Sequence, residues 1–161
     1  MIFRALLACS LFFISCSEKK SSLSEASKFE ISNLNEYVNN EFLKLNKLDS
    51  TKLEKFDSWI NIMNVYSKFN SFDLQKIDHK SIISSIKSDL EKITTNNIPQ
   101  LFNRPEIIGR LRVLKTFVYK IESYNLNKES VDIYKSDLNL MFSSYNALIS
   151  KMNSIDINLT P

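Results

Sequence analysis

The sequence predicts an all-α fold, a helical bundle of about four to five helices. The 161-residue chain has one glycine and three prolines, which are too few for the turns of an all-β sandwich or barrel. Its apolar fraction of 43% is too high for a wholly disordered chain. Apolar residues recur at spacings of three and four over much of the sequence, as on one face of an amphipathic helix. The length corresponds to a single domain with room for a terminal extension.

The first fifteen residues have the pattern of an export signal. Arg4 supplies a positive charge ahead of an apolar run over residues 5–14. This run is too short to cross a bilayer, because a membrane-spanning helix needs roughly 20 apolar residues. Polar residues follow directly after Cys16. We therefore predict a signal peptide over residues 1–15.

The end of this signal resembles the lipobox of bacterial lipoproteins. Phe13, Ile14 and Ser15 precede Cys16 in the order large apolar, β-branched and small. The resemblance implies that the Cys16 thiol receives diacylglycerol and that the new amine is acylated, as with palmitate. The alternative is an ordinary signal peptide cut near Ser15, which leaves Cys16 a plain thiol. In the lipoprotein interpretation Cys9 leaves with the signal, so the mature chain has no free thiol and no disulfide.

A polar stretch follows the cysteine and precedes the first amphipathic pattern. Residues 17–27 are polar and rich in serine, which is typical of a flexible linker. We predict a lipidated cysteine and tether over residues 16–27 and a bundle domain over residues 28–157. The first helix of this domain is predicted over residues 31–48. Its apolar stripe consists of Ile31, Leu34, Val38, Phe42, Leu45 and Leu48.

Two further helices are predicted in the middle of the chain. The second begins after Asp49-Ser50-Thr51, whose side chains suit a helix N-cap, and ends at the break Asn70-Ser71-Phe72-Asp73. The third ends before Pro99, because the residue preceding a proline is disfavoured in the helical conformation. The stripe of the second helix contains Leu53, Phe56, Ile60, Met63 and Phe69, with Trp59 and Tyr66 beside it, and that of the third contains Ile82, Ile86, Leu90 and Ile93.

The last two helices have the most regular patterns. Asn103 as a cap, with Pro105 and Glu106 in the first turn, predicts the start of the fourth helix, and residues 125–127 predict its end. The fourth stripe contains Ile107, Leu111, Leu114, Val118 and Ile121, and the fifth contains Tyr134, Leu138, Met141, Tyr145, Leu148, Met152 and Ile155. The fifth stripe fits either the packing seam of an intramolecular bundle or a seam for a partner helix.

The sequence offers few residues for catalysis or metal binding. His79 is the only histidine, so a zinc site or a general-base pair lacks candidates. We expect His79 to be an exposed residue in the first turn of a helix. Neither a calcium-binding loop nor a nucleotide-binding loop is present, and a net charge of +3 is too small to indicate a nucleic-acid partner. We therefore expect a non-enzymatic protein without a cofactor or a metal.

One segment concentrates the rare residue types. It holds Arg104, Arg110 and Arg112, which are all the arginines that follow Cys16, and the single glycine, Gly109. A guanidinium group can bind a carboxylate or a phosphate through two hydrogen bonds, so the three arginines are a candidate partner or anion site. The alternative is structural. Glu106 and Arg110 then form an i,i+4 pair, and Gly109 lets another helix approach.

This segment also resembles small, uncharacterised helical lipoproteins of Bacteroidota, mainly of flavobacteria. The resemblance lies within residues 98–116, where Pro105 leads a helix and an Arg-x-Arg-Val-Leu-x-Thr run begins at Arg110. It implies an envelope-anchored helical protein and brings no activity with it. Asp49-Ser50-Thr51 is similar to envelope O-glycosylation sites of Bacteroidota, which would place a glycan on Ser50. An N-cap is the alternative interpretation of the same three residues.

These observations lead to two functional hypotheses. The first is a lipid-anchored protein of the bacterial cell envelope, at the outer membrane through the lipid on Cys16, whose domain binds or scaffolds an unknown partner without catalysis. The second is a surface-exposed, ligand-binding or adhesin-like lipoprotein. It is favoured by a composition rich in Lys, Asn and Ile and by the Phe-Ile-Ser-Cys ending, both similar to helical lipoproteins of spirochaetes. The two differ in the side of the outer membrane that the domain faces.

Overall fold

The helical prediction is confirmed by a computed structural model, which describes residues 44–72, 79–125 and 130–156. Within these ranges the chain forms five α-helices and no strand. The predicted signal peptide, Cys16, the tether and most of the first predicted helix lie outside the described residues. The helices are α1 (Leu53–Asp57), α2 (Ile60–Asn70), α3 (His79–Glu91), α4 (Pro105–Glu122) and α5 (Val131–Asn153), with short 3-10 turns at Ser50–Lys52 and Thr95–Asn97.

The helices pack in chain order around one apolar core. α2 contacts α3, α3 contacts α4, and the interface between α4 and α5 is the most extensive. Short connections favour this arrangement, because consecutive helices then lie side by side. No helix in the described ranges is long and apolar enough to cross a membrane.

The predicted stripes of α4 and α5 both face this core. All their members are buried, at 4% exposure or less. The α5 stripe is therefore the packing seam of the bundle and not a surface for a partner helix. Rings fill part of the space between helices, as where Phe69 of α2 stacks on Tyr145 of α5 with ring centroids 4.2 Å apart.

The second predicted helix is not continuous, and this part of the prediction is wrong. The structure divides it at Trp59, whose backbone (φ −109°, ψ 69°) leaves the helical region and whose amide donates to the Phe56 carbonyl at 2.8 Å. Trp59 is 1% exposed and stacks on Phe102 at 5.5 Å, whereas the predicted stripe residue Ile60 is 69% exposed. The indole of Trp59 buries more apolar area than the side chain of Ile60 would. The free energy gained by burying it therefore exceeds what an unbroken helix would contribute.

The first predicted helix is also wrong where the structure describes it. Residues 44–49 have no regular secondary structure and are not helical, although Leu48 is buried and Leu45 packs against the core as the stripe predicted. The main chain of these residues hydrogen-bonds to side chains of α5 instead of to itself. Tertiary contacts therefore override the local periodicity in this segment.

The two predicted caps have different outcomes. Asp49 is an N-cap, since its Oδ1 accepts from the amide and the hydroxyl of Thr51 at 3.0 and 2.7 Å, although it caps a 3-10 turn. Ser50 is exposed, and its glycosylation stays a prediction. Asn103 is not a cap: Arg104 takes that position with extended backbone and no side-chain cap bond. Pro105 at the first helical position explains this, because it forces the residue before it out of the helical region.

Candidate functional site

The three arginines of the candidate anion site point in different directions. Arg110 and Arg112 are two residues apart on α4 and so lie about 160° apart around its axis. Arg110 Nη1 donates to the Glu106 carbonyl at 2.9 Å, and Arg104 Nε donates to the Leu101 carbonyl at 3.1 Å. Arg112 is exposed. Two of the three guanidinium groups thus bind main-chain carbonyls, and a shared partner site stays a prediction.

The structural alternative for the same segment needs two corrections. The Glu106 carboxylate pairs with Lys151 of α5 at 3.6 Å, while Arg110 binds the Glu106 carbonyl and not its side chain. Gly109 is exposed, and a Cβ built on it meets no atom within 4 Å, so it does not admit a neighbouring helix. The core contacts of α4 come from its apolar stripe, which lies on the opposite side.

His79 is buried, which contradicts the expectation of an exposed first-turn residue. It is 5% exposed, and its ring meets that of Tyr134 edge-on with centroids 6.1 Å apart. A sequence signal for this existed. His79 precedes Ile83, Ile86 and Leu90 at spacings of four, three and four, so it belongs to the buried face of α3.

His79 is part of a cluster that joins three helices, here called the Asp137 cluster and formed by His79, Lys120, Tyr124, Tyr134 and Asp137. The carboxylate of Asp137 is 3% exposed and accepts from the Tyr124 hydroxyl and from Lys120 Nζ, the latter at 2.9 Å. Tyr124 and Tyr134 meet edge-to-face at 5.6 Å. The cluster thereby connects the C-terminal end of α4 to the first turn of α3 and the first two turns of α5.

The electrostatics of the Asp137 cluster suit a structural role. The hydrogen bond to Asp137 raises the pKa of Lys120. Burial, with help from the same carboxylate, raises the pKa of Tyr124, and burial raises the pKa of Tyr134. The lysine therefore stays charged and both tyrosines stay protonated at neutral pH, a state that suits holding α4 against α5.

A second buried carboxylate connects α2 to α3. Asp89 is 4% exposed and accepts from Lys68 of α2 and from Lys92, the latter at 2.7 Å. Lys68 also donates to the Ser85 carbonyl at 3.1 Å. Burial acts to raise the pKa of Asp89, but the hydrogen bonds from the two lysines outweigh it and hold the pKa below its usual value. These hydrogen bonds form the Asp89 network, which holds α2 against α3.

A third polar set lies on α5 and binds residues 44–49, here called the docked segment. The Asn146 side chain accepts from the amide of Asn46 at 2.8 Å and donates to the carbonyl of Lys44 at 3.1 Å. The side chain of Asn46 in turn donates to the Asn146 carbonyl and to Ser150 Oγ, at 3.1 and 2.7 Å.

The same contacts recur two helical turns later. The Asn153 side chain accepts from the amide of Asp49 at 2.8 Å and donates to the carbonyl of Lys47 at 2.9 Å. Lys52 then closes the end of α5, since its Nζ donates to the Asn153 carbonyl at 2.6 Å. The sequence prediction missed Asn146 and Asn153 because it relied on the spacing of apolar residues, and these two side chains are polar.

The described residues contain no group of three or more His, Cys, Asp or Glu side chains able to hold a metal ion. Three of the polar assemblies described above fasten elements of the bundle: the Asp137 cluster, the hydrogen bonds of Asp89 and the asparagines of α5. Comparison with protein-family models, with curated proteins and with solved structures gives no match.

Proposed function

We propose that this chain is a lipid-anchored protein of the bacterial cell envelope, held at the outer membrane through Cys16, whose helical domain binds or scaffolds a partner without catalysis. The observation that carries the proposal is the signal ending Phe13-Ile14-Ser15-Cys16 after an apolar run too short to span a bilayer. Each buried CH₂ of an attached chain contributes about 0.8 kcal/mol, so two or more chains give stable anchoring.

The use of charge within the bundle supports a binding or scaffolding role. Catalytic carboxylates usually lie in a cleft with a perturbed pKa and a path to substrate. Asp89 and Asp137 are instead covered at helix interfaces, where Asp89 accepts from two lysines and Asp137 accepts from Lys120 and Tyr124. What the domain offers to its surroundings is its outer surface, which includes exposed Arg112.

Lipidation is tested by replacing each cysteine in turn. In cells fed an alkyne-tagged palmitate, the wild-type chain should carry the label and sediment with membranes. Cys16→Ala should lose both, because it removes the thiol that accepts diacylglycerol. Cys9→Ala is the matched control and should keep both, since Cys9 lies within the predicted signal. Equal labelling of Cys16→Ala and wild type would overturn the proposal.

The surface-exposed, ligand-binding alternative differs in the side of the membrane that the domain faces. Protease treatment of intact cells, with a tag after Pro161 and a periplasmic protein as control, separates the two. The envelope-scaffold proposal expects the tag to survive until the outer membrane is opened. Loss of the tag from intact cells, with the periplasmic control untouched, would favour the adhesin-like alternative.

A further inference from the structure

The outward side of α4 carries a continuous surface, here called the α4 face. It is formed by Glu106, Gly109, Val113, Thr116 and Lys120, whose spacings of three and four residues place them on one side of the helix. The three residues in the middle of the face are exposed. The core stripe of α4 lies on the other side, so the α4 face does not contribute to the packing of the bundle.

Two ion pairs border this face and join it to α5. Glu106 lies 3.6 Å from Lys151, and Lys120 lies 2.9 Å from Asp137. These pairs make α4 and α5 antiparallel and place Val113 midway between them along α4. The side chains of Glu106 and Lys120 are still 40% and 50% exposed, so each can contact a further charge.

The centre of the α4 face is apolar. Val113 is 48% exposed. The register set by the two ion pairs places Val113 opposite Ser144 of α5, and Leu140, which is 44% exposed, lies one helical turn from Ser144. An apolar centre with charged residues around it is the usual anatomy of a protein interface.

Gly109 has no explanation in the packing of the described residues. It is the only glycine of the sequence and lies inside a helix, where glycine is less favourable than alanine. Its φ is not positive, and a Cβ built on it meets no atom within 4 Å. The described chain therefore requires a glycine here neither for its backbone nor for its packing. A helix surface without a side chain at one position lets a second helix approach more closely.

The α4 face is complementary to itself. Glu106 and Lys120 lie seven residues before and after Val113, which is about 10.5 Å along the axis in each direction. A two-fold axis through Val113 makes the α4 helices of two copies antiparallel. Each Glu106 then faces Lys120 of the other copy, and the two Val113 side chains meet. In a parallel pair, like charges would face each other instead.

We propose that the α4 face binds the α4 face of a second copy of this chain, which gives an antiparallel dimer with its two-fold axis at Val113. Burial of apolar surface provides affinity, and the pairs of opposite charge fix the orientation. Gly109 allows the two backbones to approach. The inference rests on α4 and not on lipidation, so it can fail or hold separately from the proposed function.

The test is sedimentation equilibrium of the full chain in a density-matched detergent. Wild type should dimerise reversibly as its concentration rises. Val113→Lys should raise the dimer Kd at least about ten-fold, because it brings two ammonium groups together at the axis. Ile60→Lys is the matched control and should leave the Kd unchanged, since Ile60 is a 69% exposed apolar residue on α2. Circular dichroism at 222 nm checks that both variants are folded.

Gly109→Leu separates a role in the dimer from a role in the fold. Leucine has the higher helix propensity and enters open space, so the free energy of unfolding of the monomer should stay the same or rise. The dimer Kd should nevertheless rise at least about ten-fold, because the new side chain keeps the second helix away. A role of Gly109 in the monomer alone would give the opposite result, a less stable monomer and an unchanged Kd.

Glu106→Lys tests the orientation of the two copies. It replaces each contact between opposite charges with a contact between two lysines and should weaken the dimer. Glu54→Lys is the matched control, since Glu54 is an exposed glutamate in the first turn of α1. A dimer that Glu106→Lys leaves unchanged would contradict the antiparallel register.

Two further results would overturn the proposal. One is a wild-type chain that stays monomeric up to about 1 mM, which would leave the α4 face without a second copy as its partner. The other is a wild-type dimer that persists in both Val113→Lys and Gly109→Leu, which would show that the copies associate through another surface.

Discussion

Leu138→Ala should lower the free energy of unfolding by about 2–5 kcal/mol, whereas Leu140→Ala should lower it by less than about 0.5 kcal/mol. Both residues lie on α5, two positions apart. Leu138 is fully buried in the seam, and Leu140 is 44% exposed. The first substitution removes apolar contacts and leaves a cavity. The second removes methyl groups that already contact water, and alanine has the higher helix propensity.

Urea denaturation followed by circular dichroism at 222 nm measures both losses. The identical chemical change makes Leu140→Ala a matched control for side-chain size and type. Typical domains unfold with a free energy of about 5–15 kcal/mol, so the loss at Leu138 would be a large part of the total. Similar losses at the two positions would contradict the orientation of α5, on which the core depends.

Asp89→Asn should lower the free energy of unfolding by about 1–3 kcal/mol at pH 7. The carboxylate accepts from two lysines in a buried position, and the amide that replaces it is neutral and brings an extra donor beside Lys68. Lys68 and Lys92 stay partly exposed and can be solvated, which keeps the expected loss below that of a fully buried broken ion pair. The measurement is urea denaturation of both proteins over a range of pH.

The pH dependence distinguishes the charge from the packing. The folded-state pKa of Asp89 is lowered, so its contribution is present above the unfolded value near 3.9 and is lost as pH falls through the folded value. The stability difference between wild type and Asp89→Asn should therefore shrink below about pH 4. Asp57→Asn, an exposed carboxylate at the end of α1, is the control. A difference that stays constant down to pH 2 would mean that the substitution acts through shape alone.

The three-four spacing of apolar residues predicted α4 and α5 correctly, but the same spacing over residues 31–48 predicted a helix that residues 44–49 do not form. The stripes of α4 and α5 are buried as predicted, and Pro105 marks the start of α4. The division at Trp59 was not predictable in this way, because it depends on Phe102, 43 residues later in the chain, lying where the indole can stack. The three arginines of the candidate site do not face one way, because two residues of helix place Arg110 and Arg112 on opposite sides of α4.

The sequence by itself determined which segments bury an apolar face, since periodicity is a local property that the backbone converts directly into a face. It also carries the lipobox-like pattern before Cys16, from which the proposed lipid anchor is inferred. Only the tertiary structure decided how polar residues are used. His79 is buried because its helix face meets Tyr134, and residues 44–49 are not helical because asparagines about a hundred positions later bind their main chain. Hydrogen bonds and ring contacts of this kind join residues far apart in sequence, so no local pattern encodes them.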